Sequence, residues 1–352
     1  MSDNDVRELP NGEPNGEPNG KPKPRTALMI GGGGSKAAFA VGAISSLREA
    51  GVVPDLVIGF GTGALIAPLV ATDELTVLRE MFATLEAREL LRVNLRGLFW
   101  NAVYDTRPLA RLLEALITEQ RFRRLQGATC RLLLGTLALQ SGRLDCWSQR
   151  PSETARELVS RRQLIDVMLA SATQPVVMPP VQIRPDVDQH LHGGVADPSP
   201  LSSAISHGAT TIYTLLLSPT DPHPARQHFN WVGDSGYRFM DVLGERLLVD
   251  DLRRALEHNH TLRYLETLEA RVGELLDEEQ RRALFADELD PRRRRRPLEL
   301  FLIHPERQLG GDGRTFTPGQ ASALMERGAQ AAAAALADGP LTRWPDPPVE
   351  GW

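Results

Sequence analysis

Cysteine, aromatic residues and long apolar runs are all scarce in this chain of 352 residues. Its two cysteines, Cys130 and Cys146, allow at most one disulfide, which excludes a disulfide-dense scaffold and favours reduced thiols in a cytoplasmic protein. No apolar stretch of about 18 residues is free of charged or turn residues, so we expect no membrane-spanning helix. The first residues are polar, and we therefore expect no secretory signal peptide.

An excess of positive charge is also missing. The chain has 40 Lys and Arg residues against 45 Asp and Glu residues, which gives a net charge of -5. Nucleic acid is therefore not an expected partner, because phosphate binding requires a basic face. With 41% hydrophobic residues, the composition is that of a globular protein with a sizeable core.

The pattern of apolar residues divides the chain into four parts. Residues 1–25 repeat Asn-Gly-Glu-Pro, have almost nothing apolar to bury, and are predicted to form a disordered or extended tail. Strands alternate with helices in residues 26–220, which predicts an α/β core with a mostly parallel sheet between helical layers. Residues 221–340 are predicted to be mainly helical and to pack on that core, and residues 341–352 form a terminal tail.

A first glycine motif, Gly31–Gly34, lies between an apolar strand and a predicted helix that starts at Ala37. Backbone N–H groups in such a loop favour a negative charge, so the motif is predicted to stabilise an oxyanion. Gly32, Gly34 and Ala37 also fit the loose dinucleotide pattern, although no acidic residue ends the next strand to bind a ribose. A tight turn without a ligand is the third interpretation.

A second glycine motif has the form of a nucleophile elbow without a nucleophile. Gly59-Phe60-Gly61-Thr62-Gly63 follows the apolar Leu56–Ile58 and precedes a predicted helix. In a G-x-S-x-G elbow this strained turn presents a serine hydroxyl, and the next backbone N–H helps to stabilise the oxyanion. Because Gly61 stands at the central position, the motif provides the frame for acyl transfer but no attacking group.

A third motif, His192-Gly193-Gly194, follows a predicted hairpin over 181–192. Together the three motifs resemble those of bacterial patatin-like phospholipases, which combine a glycine-rich oxyanion loop, a G-x-S-x-G elbow and an Asp-Gly-Gly or Asp-Gly-Ala turn. The resemblance covers about residues 26–220, and more loosely extends to 336. It implies a patatin-like three-layer α/β fold with a Ser–Asp dyad.

The resemblance also assigns a role to each motif residue. Gly61 stands at the serine position and His192 at the aspartate position. Oxyanion or ligand-binding roles fall on Gly32, Gly33, Gly34, Ser35, Lys36 and Thr62, and structural roles fall on Gly59, Gly63, Gly193 and Gly194. No metal or cofactor is expected.

Loss of both dyad residues predicts a defective enzyme, since removal of the nucleophile costs a hydrolase on the order of 10⁶ in turnover. We therefore expect a protein of lipid metabolism or regulation that binds a lipid or acyl ester, with a membrane surface or a protein as a further partner. The alternative is a weak ester hydrolase. In it, His192 would activate a water molecule in the space left by the missing serine side chain.

Other side chains allow further hypotheses. His190 and His192 alternate on one strand and, with Asp186 or Asp188, have the residue types of a zinc site, although paired histidines on a hairpin more often pack. The run Arg292–Arg296 suits either an anionic membrane surface or a solvated loop. The aromatic residues that suit either a lipid cleft or the core are Phe99, Trp100, Trp231 and Tyr237.

Overall fold

The fold is seen in a computed structural model, which describes residues 25–85, 92–93, 104–184, 188–195, 200–220, 228, 232–277, 279–280, 284, 296–309 and 317–344. Several predictions concern residues outside these ranges, namely those on the N-terminal tail, Phe99, Trp100, Asp186, Trp231 and Arg292–Arg295. The side chains of Ser35 and Tyr237 are likewise outside the description.

Strands and helices alternate along the first two thirds of the chain. The strands are β1 (Arg25–Ile30), β2 (Leu56–Gly59), β3 (Arg92–Val93), β4 (Tyr104–Asp105), β5 (Arg131–Ala138), β6 (Arg143–Ser148), β7 (Arg156–Glu157), β8 (Val181–Gln182), β9 (Gln189–His192), β10 (Ala209–Leu215) and β11 (Glu299–Ile303). The helices are α1 (Ala37–Glu49), α2 (Gly63–Ala71), α3 (Leu75–Thr84), α4 (Arg107–Leu116), α5 (Glu119–Gln126), α6 (Arg161–Ala172), α7 (Leu201–Ser206), α8 (Val232–Gly273) and α9 (Pro318–Asp338). Short 3₁₀ turns cover Gly34–Lys36 and Gly193–Val195.

The central sheet has the strand order β11-β10-β1-β2-β5-β6-β7. Its first five strands pair in parallel, and β6 then pairs antiparallel with β5. Strand β1 shows why helices cover both faces, because Leu28 and Ile30 lie in one hydrophobic cluster while Ala27 and Met29 lie in the other. The prediction of a mostly parallel sheet flanked by helices is confirmed.

Strand β9 has an unusual place that matters for the site. It pairs antiparallel with the end of β5, and His192 is opposite Thr136. Strand β2 pairs with the start of β5, and its last residue, Gly59, is opposite Leu134. Since β6 occupies the other edge of β5, strand β9 lies just beyond the end of β2. This topology brings His192 to the turn that follows Gly59.

The C-terminal part is built into the core rather than attached to it. Strand β11 extends the central sheet beside β10, and Leu341 and Trp344 pack against the hydrophobic cluster of β1, β10 and α8. Helix α9 was expected to pack on the sheet, but it packs mainly on α1 and reaches the sheet at β11. The small residues Gly42 and Gly328 allow that close helix contact.

Two helical stretches of the sequence pattern are divided in the structure. The long pattern over 241–289 predicts one or more breaks, which is confirmed, because α8 runs from Val232 to Gly273 and helix is next described at 279–280. The helical pattern over 108–125 is divided into α4 and α5 at Thr118, whose side chain accepts a hydrogen bond from Arg121 N–H and so caps α5. Of the helices that the structure describes, none is both long enough and apolar enough to cross a bilayer.

Candidate functional site

The three glycine motifs converge at one point of the structure. A Cβ atom built on Gly61 would lie 2.5 Å from His192 Nε2 and 2.9 Å from Gly32 Cα. The loop after β1, the turn after β2 and the end of β9 therefore meet at position 61. The sequence motifs are separated by up to 160 residues, and parallel pairing of β1 with β2 together with the position of β9 brings them together.

The elbow keeps the strained backbone that its sequence predicts. Gly61 has a φ of +59°, in the left-handed region that favours glycine. At Gly63 a Cβ atom would lie 2.1 Å from Ile30 O, so only glycine allows the turn to approach β1 this closely. The backbone N–H of Gly61 donates a hydrogen bond of 3.2 Å to Ser171 Oγ. These contacts hold the turn in place without any side chain at position 61.

Sequence reasoning missed Ser171. This residue lies on α6 and is fully buried, and its hydroxyl accepts the amide hydrogen of Gly61. The sequence signal for Ser171 was its place among apolar residues of α6, since a hydroxyl that is buried with them requires a hydrogen-bond partner.

A hydrogen bond joins the oxyanion loop to the elbow. Gly33 N–H donates to Thr62 Oγ1 at 3.0 Å, so both predicted ligand-binding groups are used within the protein. Lys36 N–H donates to Gly33 O at 3.3 Å and closes the 3₁₀ turn that contains Ser35. None of the hydrogen bonds between described residues uses the amides of Gly32, Gly34 or Thr62. Within the described part of the chain these three amides could therefore donate to a ligand.

His192 is held at both its backbone and its ring. Its N–H donates to Thr173 O at 3.0 Å, and its Nδ1 accepts a hydrogen bond of 2.8 Å from Gly194 N–H. A neutral imidazole that accepts at Nδ1 carries its proton on Nε2, so this bond assigns the tautomer. Burial lowers the pKa of His192 to about 4, which keeps the ring neutral near pH 7.

The ring of His192 fills the space that a serine side chain at position 61 would need. The Cβ atom built on Gly61 would be 2.5 Å from Nε2 and 3.2 Å from Cε1, and the first distance is too short for any real contact. A free space for a water molecule was expected there, but the ring takes it. The imidazole ring at position 192 therefore lies where a side chain at position 61 would lie.

His190 does not join His192 in a site. It is 3% exposed, its Nδ1 lies 3.1 Å from Thr136 Oγ1, and its ring meets Trp147 edge to face. Trp147 Nε1 also donates to Thr136 Oγ1 at 2.9 Å, so the three side chains form a buried polar network. Over the described ranges, no three His, Cys, Asp or Glu side chains are grouped to hold a metal ion.

Comparison with known proteins agrees with this geometry. A family model described as patatin-like phospholipase matches residues 28–205, just over half of the chain. The chain belongs to the patatin-like phospholipase family. The matched segment contains the oxyanion loop, the elbow and the His192 turn, so all three motifs lie within the part that shows the family.

Other comparisons add little to the family match. Among solved structures, VipD from Legionella pneumophila matches with 12% sequence identity and a TM-score of 0.40, over 94% of this chain and 71% of that chain. No curated protein sequence matches the chain significantly.

Proposed function

We propose that this patatin-like protein is a catalytically defective member of its family that binds a lipid or acyl-ester ligand where Gly32, Gly61 and His192 meet. One observation carries the proposal, which is that the His192 ring occupies the space that a side chain at position 61 would need, where the motif resemblance implies a serine. Patatin-like phospholipases act on lipids, which supports a lipid ligand. Both cysteines are free thiols, which suits action in the reducing cytoplasm.

Of the hydroxyls that the structure describes at the elbow, neither Thr62 nor Ser171 is suited to replace the missing nucleophile. The Thr62 hydroxyl accepts the amide hydrogen of Gly33 and so faces the loop. Ser171 is fully buried under the elbow and is engaged by the Gly61 amide. Without a nucleophile, an oxyanion hole and a binding cleft retain only about 10³–10⁴ over the reaction in water. Loss of the family's standard turnover is the expected consequence.

The alternative of a water-based hydrolase meets a chemical obstacle at His192. A general base must present an unprotonated nitrogen to the attacking water. The nitrogen of His192 that accepts a hydrogen bond is Nδ1, and it is already bonded to Gly194 N–H. The nitrogen beside Gly61 is Nε2, which carries the proton. The hydrolase alternative therefore requires the ring to change tautomer and lose its bond to Gly194.

An ester hydrolysis assay tests the proposal. Purified wild-type protein, Gly61→Ser, His192→Asp and the double variant are compared on a nitrophenyl acyl ester and on phospholipid vesicles. We expect the wild-type protein and both single variants to match the buffer blank, because the dyad is incomplete in each. The double variant places serine at position 61 of the elbow and aspartate at position 192, and it is the one expected to gain turnover.

Two outcomes would contradict the proposal. Wild-type turnover that disappears in His192→Ala would show that the protein is a hydrolase that uses the imidazole. Failure of the wild-type protein to bind either an acyl ester or any fatty acid in a direct titration would remove the lipid-binding function. Thermal unfolding of each variant shows whether a variant without turnover or binding is folded.

A further inference from the structure

We propose that the site where Gly32, Gly61 and His192 meet selects ligands with an anionic carboxylate head, such as a free fatty acid, over uncharged esters of the same chain length. The inference rests on the proposed lipid-binding function and specifies the chemical class of its ligand. It follows from the hydrogen-bond donors beside position 61, which are the imidazole N–H of His192 and backbone amides of the adjoining loops.

The first donor is His192. Because Gly194 N–H occupies Nδ1, the ring presents N–H at Nε2, which is the ring atom nearest to a Cβ atom built on either Gly61 or Gly32. A Cβ atom built on Gly32 would lie 3.1 Å from this Nε2, and Gly32 itself is exposed to solvent. The N–H group therefore lies beside an open position of the loop, where a ligand oxygen can approach it.

Backbone amides supply the other donors. Gly32, Gly34 and Thr62 have N–H groups that no hydrogen bond between described residues uses. Thr62 directly follows Gly61, and Gly32 Cα lies 2.9 Å from a Cβ atom built on Gly61, so two of these amides belong to residues beside position 61. Gly33 is held in place by Thr62, so the neighbouring amides are fixed before a ligand arrives. Hydrogen bonds from such donors to an ionised oxygen are roughly twice as strong as those to a neutral oxygen.

The charge at position 192 also favours an anion. In the family pattern this position carries an aspartate, whose negative charge repels a carboxylate. The neutral imidazole removes that charge, and burial rather than any carboxylate among the described residues sets its protonation state. An ester carbonyl gains from the donors as well. However, a carboxylate gains more because its second oxygen and its full charge also interact with them.

Calorimetric titration near neutral pH with sodium decanoate and methyl decanoate tests this selectivity. The two probes share a chain length and differ in the charge of the head. We expect the wild-type protein to bind decanoate roughly tenfold or more tightly, as one charge-assisted hydrogen bond predicts. His192→Phe keeps a planar ring without a donor and is expected to lose most of that preference. His192→Gln retains a donor and is expected to keep most of it.

The ratio of the two affinities is the decisive readout, because a general loosening of the cleft would weaken both probes together. Equal affinity for decanoate and methyl decanoate in the wild-type protein, unchanged in His192→Phe, would overturn the carboxylate selectivity and leave lipid binding intact. Tighter binding of decyl phosphate than of decanoate would also overturn it and would assign the site to phosphate heads. Binding of none of the probes would remove the proposed function as well.

Discussion

Substitution of Gly61 by serine should destabilise the protein far more than serine at another glycine of similar backbone conformation. Two costs add at position 61. A side chain at φ +59° costs about 1–2 kcal/mol in the left-handed region. The new Cβ atom would also approach His192 Nε2 to 2.5 Å and Gly32 Cα to 2.9 Å, and overpacking of this kind costs about 1–3 kcal/mol. The expected loss in the free energy of unfolding is about 2–5 kcal/mol.

Gly142 provides the matched control for this substitution. Its φ is +66°, and a Cβ atom built on it meets nothing within 4 Å, so Gly142→Ser measures the backbone cost alone. His192→Asp provides the second control, because it removes the ring that the serine would overlap. Residues in direct contact show coupling of about 0.5–3 kcal/mol, so serine at position 61 should cost less in the aspartate background.

Urea denaturation followed by circular dichroism gives all of these free energies in one series. The wild-type protein, Gly61→Ser, His192→Asp, the double variant and Gly142→Ser are sufficient for the comparison. If Gly61→Ser costs no more than Gly142→Ser, the ring does not occupy the serine space. Strict additivity of the two substitutions in the double variant would refute the same reasoning.

Two further predictions concern the packing of α9 and the burial of His192. Gly328→Ala would place a Cβ atom 1.9 Å from Phe39 O and should lower the free energy of unfolding by about 3 kcal/mol. Gly319→Ala on the same helix meets nothing within 4 Å and should be neutral or slightly stabilising. Urea denaturation measures both variants, and equal effects would contradict the close helix contact. The pKa of His192 falls from 6.5 to about 4 on folding, so the unfolded chain binds the proton at a higher pH than the folded protein does. The free energy of unfolding should therefore fall as the pH drops from 6.5 towards 4, by up to about 3 kcal/mol. Denaturation of His192→Asn should show a shallower pH dependence than the wild-type protein, and an identical slope would mean that His192 titrates normally.

Much of the architecture follows from the sequence because its signals are local. The continuous apolar run at the end of β1 and the glycine turns after β1 and β2 require only neighbouring residues to be recognised. The packing of α9 on α1 was not predictable in the same way. It depends on which distant surface the helix covers, and periodicity alone carries no information about that.

The details of the candidate site were the least predictable part. The hydrogen bonds from Gly33 to Thr62 and from Gly61 to Ser171 join residues 29 and 110 positions apart. The overlap of His192 with the serine space depends on how β9 pairs with β5, two strands that are separated by more than 50 residues. Sequence motifs identified which residues to compare, but only the pairing of distant strands determines which atoms meet.

The pairing of β9 with β5 also has a consequence for how the chain tolerates change. Side chains alternate between the two faces of a strand, so a slip of β9 by one residue would turn position 192 away from Gly61 and present Leu191 in its place. Insertions in the connection between β8 and β9 should be accommodated, whereas a single added or deleted residue within β9 should dismantle the cleft while the remainder of the sheet still forms.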